Sequence, residues 1–155
     1  EVKGELRFPT IPMSIKGPAD RIDALEDGTL VIYDYKTGTV PKTKHIRHCE
    51  KQLLIEAIMA EAGGFENVPE TAVGQVTYIK VGRSPEIFDV PLGDEFKTVT
   101  VKEELSDLLA HFQSDSVGYI SRRAMEKMRY EGDFDHLARF GEWDASERSV
   151  PGPVK

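Results

Sequence analysis

Sulfur is scarce in this chain: Cys49 is the one cysteine among 155 residues. A single thiol excludes an internal disulfide and any multi-cysteine metal site, and a reducing, cytoplasmic setting is the simplest expectation. Long apolar runs are missing too. None approaches the length that crosses a bilayer, and no signal-peptide pattern opens the chain. Positive charge is in deficit, with 20 Lys and Arg against 27 Asp and Glu, a net −7. That balance runs against the basic footprint usual in nucleic-acid binders. Internal repeats and low-complexity stretches are absent. What remains, 39% apolar and 30% charged residues, is the composition of an ordinary globular domain with enough chain for one real core.

The charge deficit is uneven. Residues 36–51 carry Lys36, Lys42, Lys44, Arg47 and Lys51, with His45 and His48, against the single acid Glu50. The stretch before them is acidic, with Asp20, Asp23, Glu26, Asp27 and Asp34. An acidic pocket beside a basic rim suits a phosphate substrate. A basic, solvated helix start is the plainer reading, and charge alone supports both.

Alternation and stripes predict the elements. Strands are expected at 5–8, 13–25, 29–36, 73–81 and 86–90. Helices are expected at 44–61, 101–111 and 122–128, the first with an apolar stripe of Ile46, Cys49, Leu53, Leu54, Ala57, Ile58 and Ala60. Gly63-Gly64 closes that helix as a C-cap. Along 29–36, Leu30, Ile32 and Asp34 face one way and Val31, Tyr33 and Tyr35 the other, so both faces are expected to be covered, as in an α/β sheet. A single domain is expected over 1–149, with Phe134, Leu137, Phe140 and Trp143 docking its end and a disordered tail at 150–155.

Chemistry concentrates in two segments, Gly17-Pro18-Ala19-Asp20-Arg21-Ile22-Asp23 and Asp34-Tyr35-Lys36-Thr37-Gly38. Glu26-Asp27-Gly28 reads as the turn of a hairpin between them. If that loop holds three residues, Asp20 lies opposite Asp34, with Cβ atoms about 4.5–5.5 Å apart. Carboxylates that close repel unless a proton or cation lies between them. An all-oxygen set favours a hard divalent ion such as Mg2+ or Mn2+. Asp34 and Lys36 share a strand face, and a lysine beside such an ion steadies charge building on a phosphoryl oxygen. That combination serves metal-assisted phosphodiester hydrolysis. The plainer alternative has both aspartates salt-bridged to Arg21 and Lys36.

The ordered run Gly-x-x-Asp-Arg-Ile-Asp (17–23), Asp-Tyr-Lys-Thr-Gly (34–38) and Gln52-Leu53 resembles the PD-(D/E)XK nucleases. Within them it is similar to the RecB-type nuclease domain, and most of all to the C-terminal nuclease domain of AddB subunits in bacterial double-strand-break repair helicase–nucleases. The segment Tyr130-Glu131-Gly132-Asp133-Phe134-Asp135-His136-Leu137-Ala138-Arg139 and the later Glu142-Trp143 also look like the end of such chains.

The resemblance implies an α/β, restriction-endonuclease-like core: a central mixed sheet flanked by helices. It implies Asp20, Asp34 and the Tyr35 backbone carbonyl as ligands of Mg2+ or Mn2+, Lys36 as the catalytic lysine, and Gln52 as a site residue orienting Lys36 or substrate. DNA exonuclease activity, an AddA-like partner subunit, a cytoplasmic, nucleoid-associated location and no membrane contact follow from it as expectations.

Departures from the pattern accompany the match. The upstream helix that supplies a further ligand is expected to be missing, with Glu1 and Glu5 poor substitutes, so an excised fragment that is inactive alone is a possible outcome. Glu56 stands where an aromatic commonly follows Gln-Leu, on the same helical face as Gln52. Cys49 alone rules out the iron–sulfur cluster of some AddB relatives. Asp23 is expected to pair with Arg21 rather than bind metal. His45 and His48, spaced i, i+3, read as phosphate contacts or plain surface. A non-catalytic DNA-binding or subunit-docking scaffold is the rival function.

Overall fold

The structure, a computed structural model, describes residues 1–119. In it the strand expected over 13–25 is broken. β1 (Val2–Arg7) and β2 (Ser14–Ala19) pair antiparallel in a sheet of their own. The chain then bends at Asp20 and enters β3 (Arg21–Ala24), which belongs to a second sheet. Alternation is blind to such a bend, because both halves continue the same period across it.

β3 pairs antiparallel with β4 (Leu30–Lys36). The turn has the length read from the sequence: the Leu25 N–H donates to the Thr29 carbonyl at 2.9 Å, leaving Glu26, Asp27 and Gly28 as the loop. Gly28 sits at φ +86°, where a side chain would be strained. Asp27 Oδ1 accepts from the Thr29 N–H at 2.9 Å and from its hydroxyl at 2.7 Å, closing an Asx-type turn. Arg21 therefore faces Tyr33, where the ladder ends, next to the bend at Asp20.

After β4 the single helix expected over 44–61 is two: α1 (Thr43–His48) and α2 (Gln52–Glu61). Cys49 leaves helical space at φ −136°, and the Glu50 N–H reaches back to the His45 carbonyl at 2.9 Å. No proline or glycine announces this break. Cys49 is consequently exposed, not part of the apolar stripe, while Ile46 and Leu53 on either side of it are each 1% exposed. α2 ends as expected, with the Gly64 N–H on the Met59 carbonyl at 2.8 Å and Gly63 at φ +64°.

β5 (Val73–Lys80) then runs parallel to β4, and β6 (Glu86–Val90) returns antiparallel, giving the sheet order β3-β4-β5-β6. A mixed sheet flanked by helices is thus the architecture. α2 packs against β4 and β5, and its Leu53, Leu54, Ala57, Ile58, Met59 and Ala60 are all buried with Leu30, Ile32, Val76 and Tyr78. The far face of β4 is covered only at its start: Val31 is buried, whereas Tyr35 is exposed.

Two compact units divide the chain, Glu1–Ser106 and Asp107–Lys155. The boundary falls within α3 (Thr98–Phe112), which starts three residues before the helix expected at 101–111. In the described part of the second unit Phe112 stacks on Tyr119 with ring centroids 5.0 Å apart. Among the described residues no helix is long and apolar enough to cross a membrane. The helix expected at 122–128, the motif at 130–143 and the tail at 150–155 lie outside the described residues.

Candidate active site

Asp34 ends the buried face of β4. It follows Leu30 and Ile32 at strand spacing, and like them it is buried, at 3% exposure. A carboxylate in that position needs partners. Lys36, two residues on and on the same face, donates from Nζ to Asp34 Oδ1 at 2.9 Å and lies 2.8 Å from Oδ2. Oδ2 is otherwise without a hydrogen bond among the described residues.

The same ammonium donates to Gln52 Oε1 at 3.1 Å. The break between α1 and α2 makes Gln52 the first residue of α2, so its amide sits at a helix end beside the sheet. Gln52 Nε2 in turn donates to Glu56 Oε1 at 3.0 Å, one helical turn on. The result is a continuous chain of contacts, Asp34–Lys36–Gln52–Glu56. Tyr78 lies beneath it: the Lys36 ammonium is 5.6 Å from the ring centroid. Burial, then the nearby Asp34 carboxylate, pushes the Tyr78 phenol up, which keeps it un-ionised.

Asp20 approaches from the hairpin. It lies at the bend between β2 and β3, and its Oδ2 accepts the Tyr35 backbone N–H at 2.9 Å. The side chain thereby takes a β4 donor just beyond the point where the β3–β4 ladder stops, tying Asp20 to the segment that carries Asp34 and Lys36.

Asp23 is elsewhere. It forms a two-pronged pair with Arg21, Nε to Oδ1 at 2.8 Å and Nη2 to Oδ2 at 2.6 Å. This hydrogen-bonded pairing holds the Asp23 carboxyl below its usual range and raises Arg21. His45 and His48 are exposed on α1 with Lys42 and Lys44. Two cations of the basic run are neutralised: Arg47 by Glu95 at 2.7 Å and Lys51 by Glu104 at 2.8 Å.

Glu56 is the member of this group to which sequence reasoning gave no role. It is 5% exposed, and its Oε2 is buried without a hydrogen-bond partner among the described residues. Desolvation pushes its carboxyl up to about 7, with the Asp34 and Asp20 charges adding to the rise and the Gln52 hydrogen bond opposing it. The sequence carried a signal for it: a lone acid inside Leu53-Leu54-Ile55-Glu56-Ala57-Ile58-Met59-Ala60, a run with no other polar residue. A helical run that is apolar all round is a buried one, and Glu56 is the one charge inside that run.

Among the described residues no three His, Cys, Asp and Glu side chains already converge tightly enough to enclose an ion. The donor set nonetheless suits a hard divalent cation. Asp20, Asp34 and Glu56 offer oxygen only, and the buried Glu56 Oε2 has no hydrogen-bond partner among the described residues.

The family profile of the PD-(D/E)XK nuclease superfamily matches residues 1–139. Over 92 residues the chain is 38% identical to an uncharacterized protein of Rickettsia typhi, covering 56% of this chain and 11% of that protein. Over 94 residues it is 40% identical to an uncharacterized protein of Rickettsia felis, again 56% and 11%. A match of 44% over 68 residues links it to an uncharacterized protein of Rickettsia conorii, 42% of this chain and 8% of the relative. The chain thus spans about a tenth of the length of these curated relatives. No solved structure matches it significantly.

Proposed function

The chain belongs to the PD-(D/E)XK nuclease superfamily, and on that premise we propose that it is a metal-dependent deoxyribonuclease domain that hydrolyses phosphodiester bonds. Its place, on the AddB-like resemblance of its motifs, is an exonuclease domain of a helicase–nuclease that processes double-strand DNA breaks, beside an AddA-like subunit. The observation that carries the catalytic reading is Lys36, held at once by Asp34 and Gln52 while Asp20 anchors to Tyr35, between Asp34 and Lys36 on the same strand.

Asp20 and Asp34, with the Tyr35 backbone carbonyl, would hold Mg2+ or Mn2+. When bound, such an ion polarises the phosphoryl oxygen and lowers the pKa of water. The protein's own groups do the positioning. The Lys36 ammonium donates to Asp34 Oδ1 and Gln52 Oε1 and lies 2.8 Å from Asp34 Oδ2. Once a cation takes up Asp34, that ammonium would orient an attacking water or meet charge developing on the phosphoryl oxygen. Gln52 keeps the lysine from collapsing wholly onto Asp34. The exposed Lys42, Lys44, His45 and His48 on and beside α1 supply backbone phosphate contacts.

Calorimetric titration of Mg2+ or Mn2+ into wild type and Asp34→Ala, with nicking assays on the same samples, tests this. Metal binding and cleavage by wild type, both lost in the variant, is the expected result. Cleavage that persists in Asp34→Ala and in Lys36→Ala would overturn it. Absence of binding would favour a scaffold that keeps the fold without the chemistry.

A further inference from the structure

Glu56 is poorly explained as a structural residue. A buried carboxyl placed for packing would have both oxygens satisfied or would be replaced by an apolar side chain. Here one oxygen holds Gln52 and the other is buried with no partner among the described residues. The acid is tied to the reaction centre by side-chain contacts only, through Gln52 to Lys36 and from Lys36 to Asp34. Desolvation above all, with the Asp34 and Asp20 charges adding to it, favours the neutral form of this carboxyl. The Lys36 ammonium is already shared by Gln52 and both Asp34 oxygens, so Glu56 Oε2 is left with no partner among the described residues.

Resting on the nuclease reading, we infer that Glu56 is an outer acid of the metal centre, its Oε2 accepting a hydrogen bond from a water in the hydration shell of a divalent cation held by Asp20 and Asp34, while its Oε1 fixes Gln52. Small hard cations such as Mg2+ keep several waters when bound to protein carboxylates. Partners of this outer kind orient the inner ligands and raise metal affinity. Glu56 thereby offers an acid from inside the domain, on the helix that also carries Gln52, where the family resemblance leads one to expect an aromatic.

Mn2+ titrated into the full chain, followed by loss of the free-ion electron paramagnetic resonance signal, tests the assignment on wild type, Glu56→Gln and Asp34→Asn. Glutamine copies the shape of a neutral acid, keeps an acceptor for Gln52 and removes only the charge. Glu56→Gln is expected to weaken Mn2+ binding about 10–100-fold, with a thermal melt in chelator no lower than wild type. An affinity within twofold of wild type would overturn the assignment and leave Glu56 as a structural acid. The nuclease reading survives that result if Asp34→Asn abolishes binding. Mn2+ binding absent from wild type, or unchanged in Asp34→Asn, removes the metal centre and both readings with it. Without any substitution, the Glu56 carboxyl 13C resonance should move when Mg2+ is added; a resonance that stays in place would equally sink the idea.

Discussion

Two acid–base pairs share the β3–β4 hairpin, each with its members two residues apart on one strand, and their surroundings are opposite. Arg21 and Asp23 on β3 have side chains 54% and 32% exposed, and both carboxylate oxygens are engaged. Lys36 and Asp34 on β4 are 32% and 4% exposed, and one ammonium lies within 2.9 Å of both carboxylate oxygens while also serving Gln52. Identical spacing yields a screened surface pair in one case and a buried, shared pair in the other. The difference comes from α2, which covers the Asp34 face, and from Gln52, which gives Lys36 a second acceptor. Burial makes an ion pair consequential, because attraction and the penalty for an unmatched charge both grow as water leaves.

The comparison breaks most visibly at Lys36. Lys36→Ala is expected to slow cleavage of end-labelled DNA by at least about 10²–10³-fold in single-turnover assays. It should also cost about 1–3 kcal/mol in urea denaturation, because it leaves Asp34 buried without its cation. Asp34→Asn should abolish cleavage too, yet leave stability equal or higher, since it removes the buried charge itself. Loss of stability in both variants would mean that the pair is structural.

Glu56 sharpens the contrast through pH. Its ordinary carboxyl value of 4.5 rises to about 7 in the folded chain. The folded state therefore binds the proton more tightly than the unfolded state. Stability from this group is fully present below 4.5 and is lost as pH rises through 7, on the order of 3 kcal/mol in all. Urea denaturation in chelator at pH 5 and pH 8 should show wild type losing stability relative to Glu56→Gln; parallel curves would contradict the burial of this acid.

Gln52→Ala is expected to be milder, lowering cleavage about 10–100-fold with a small change in melting temperature. It frees Lys36 to settle on Asp34 and strips Glu56 of its hydrogen bond. Asp23→Asn stands at the bottom of the scale. An exposed, screened pair adds little, so thermal melts and cleavage rates should match wild type, and a marked loss of cleavage would reopen a metal role for Asp23.

Local pattern made much of the site legible. The three-residue Glu26-Asp27-Gly28 turn was readable from spacing, and it sets the register in which Arg21 meets Tyr33. Strand parity put Asp34 and Lys36 on one face, and helix spacing put Gln52 and Glu56 on another. The breaks were not legible. The bend at Asp20 and the interruption at Cys49–Glu50–Lys51 carry no proline, and alternation or stripe runs on through both. Each break depends on which sheet or which helix face the next segment joins, and that is a long-range choice.

Sequence by itself therefore determined the strand order of reactive groups, the turn and the Asp-x-Lys spacing, since these rest on periods of two and on backbone conformations of single residues. Tertiary structure alone decided that Lys36 is shared between Asp34 and Gln52, that Asp20 bonds the Tyr35 N–H, and that Glu56 is buried with an unpaired oxygen. Those outcomes follow from α2 being laid against β4 and β5, because burial and charge coupling depend on what lies across space from a residue, not on its neighbours along the chain.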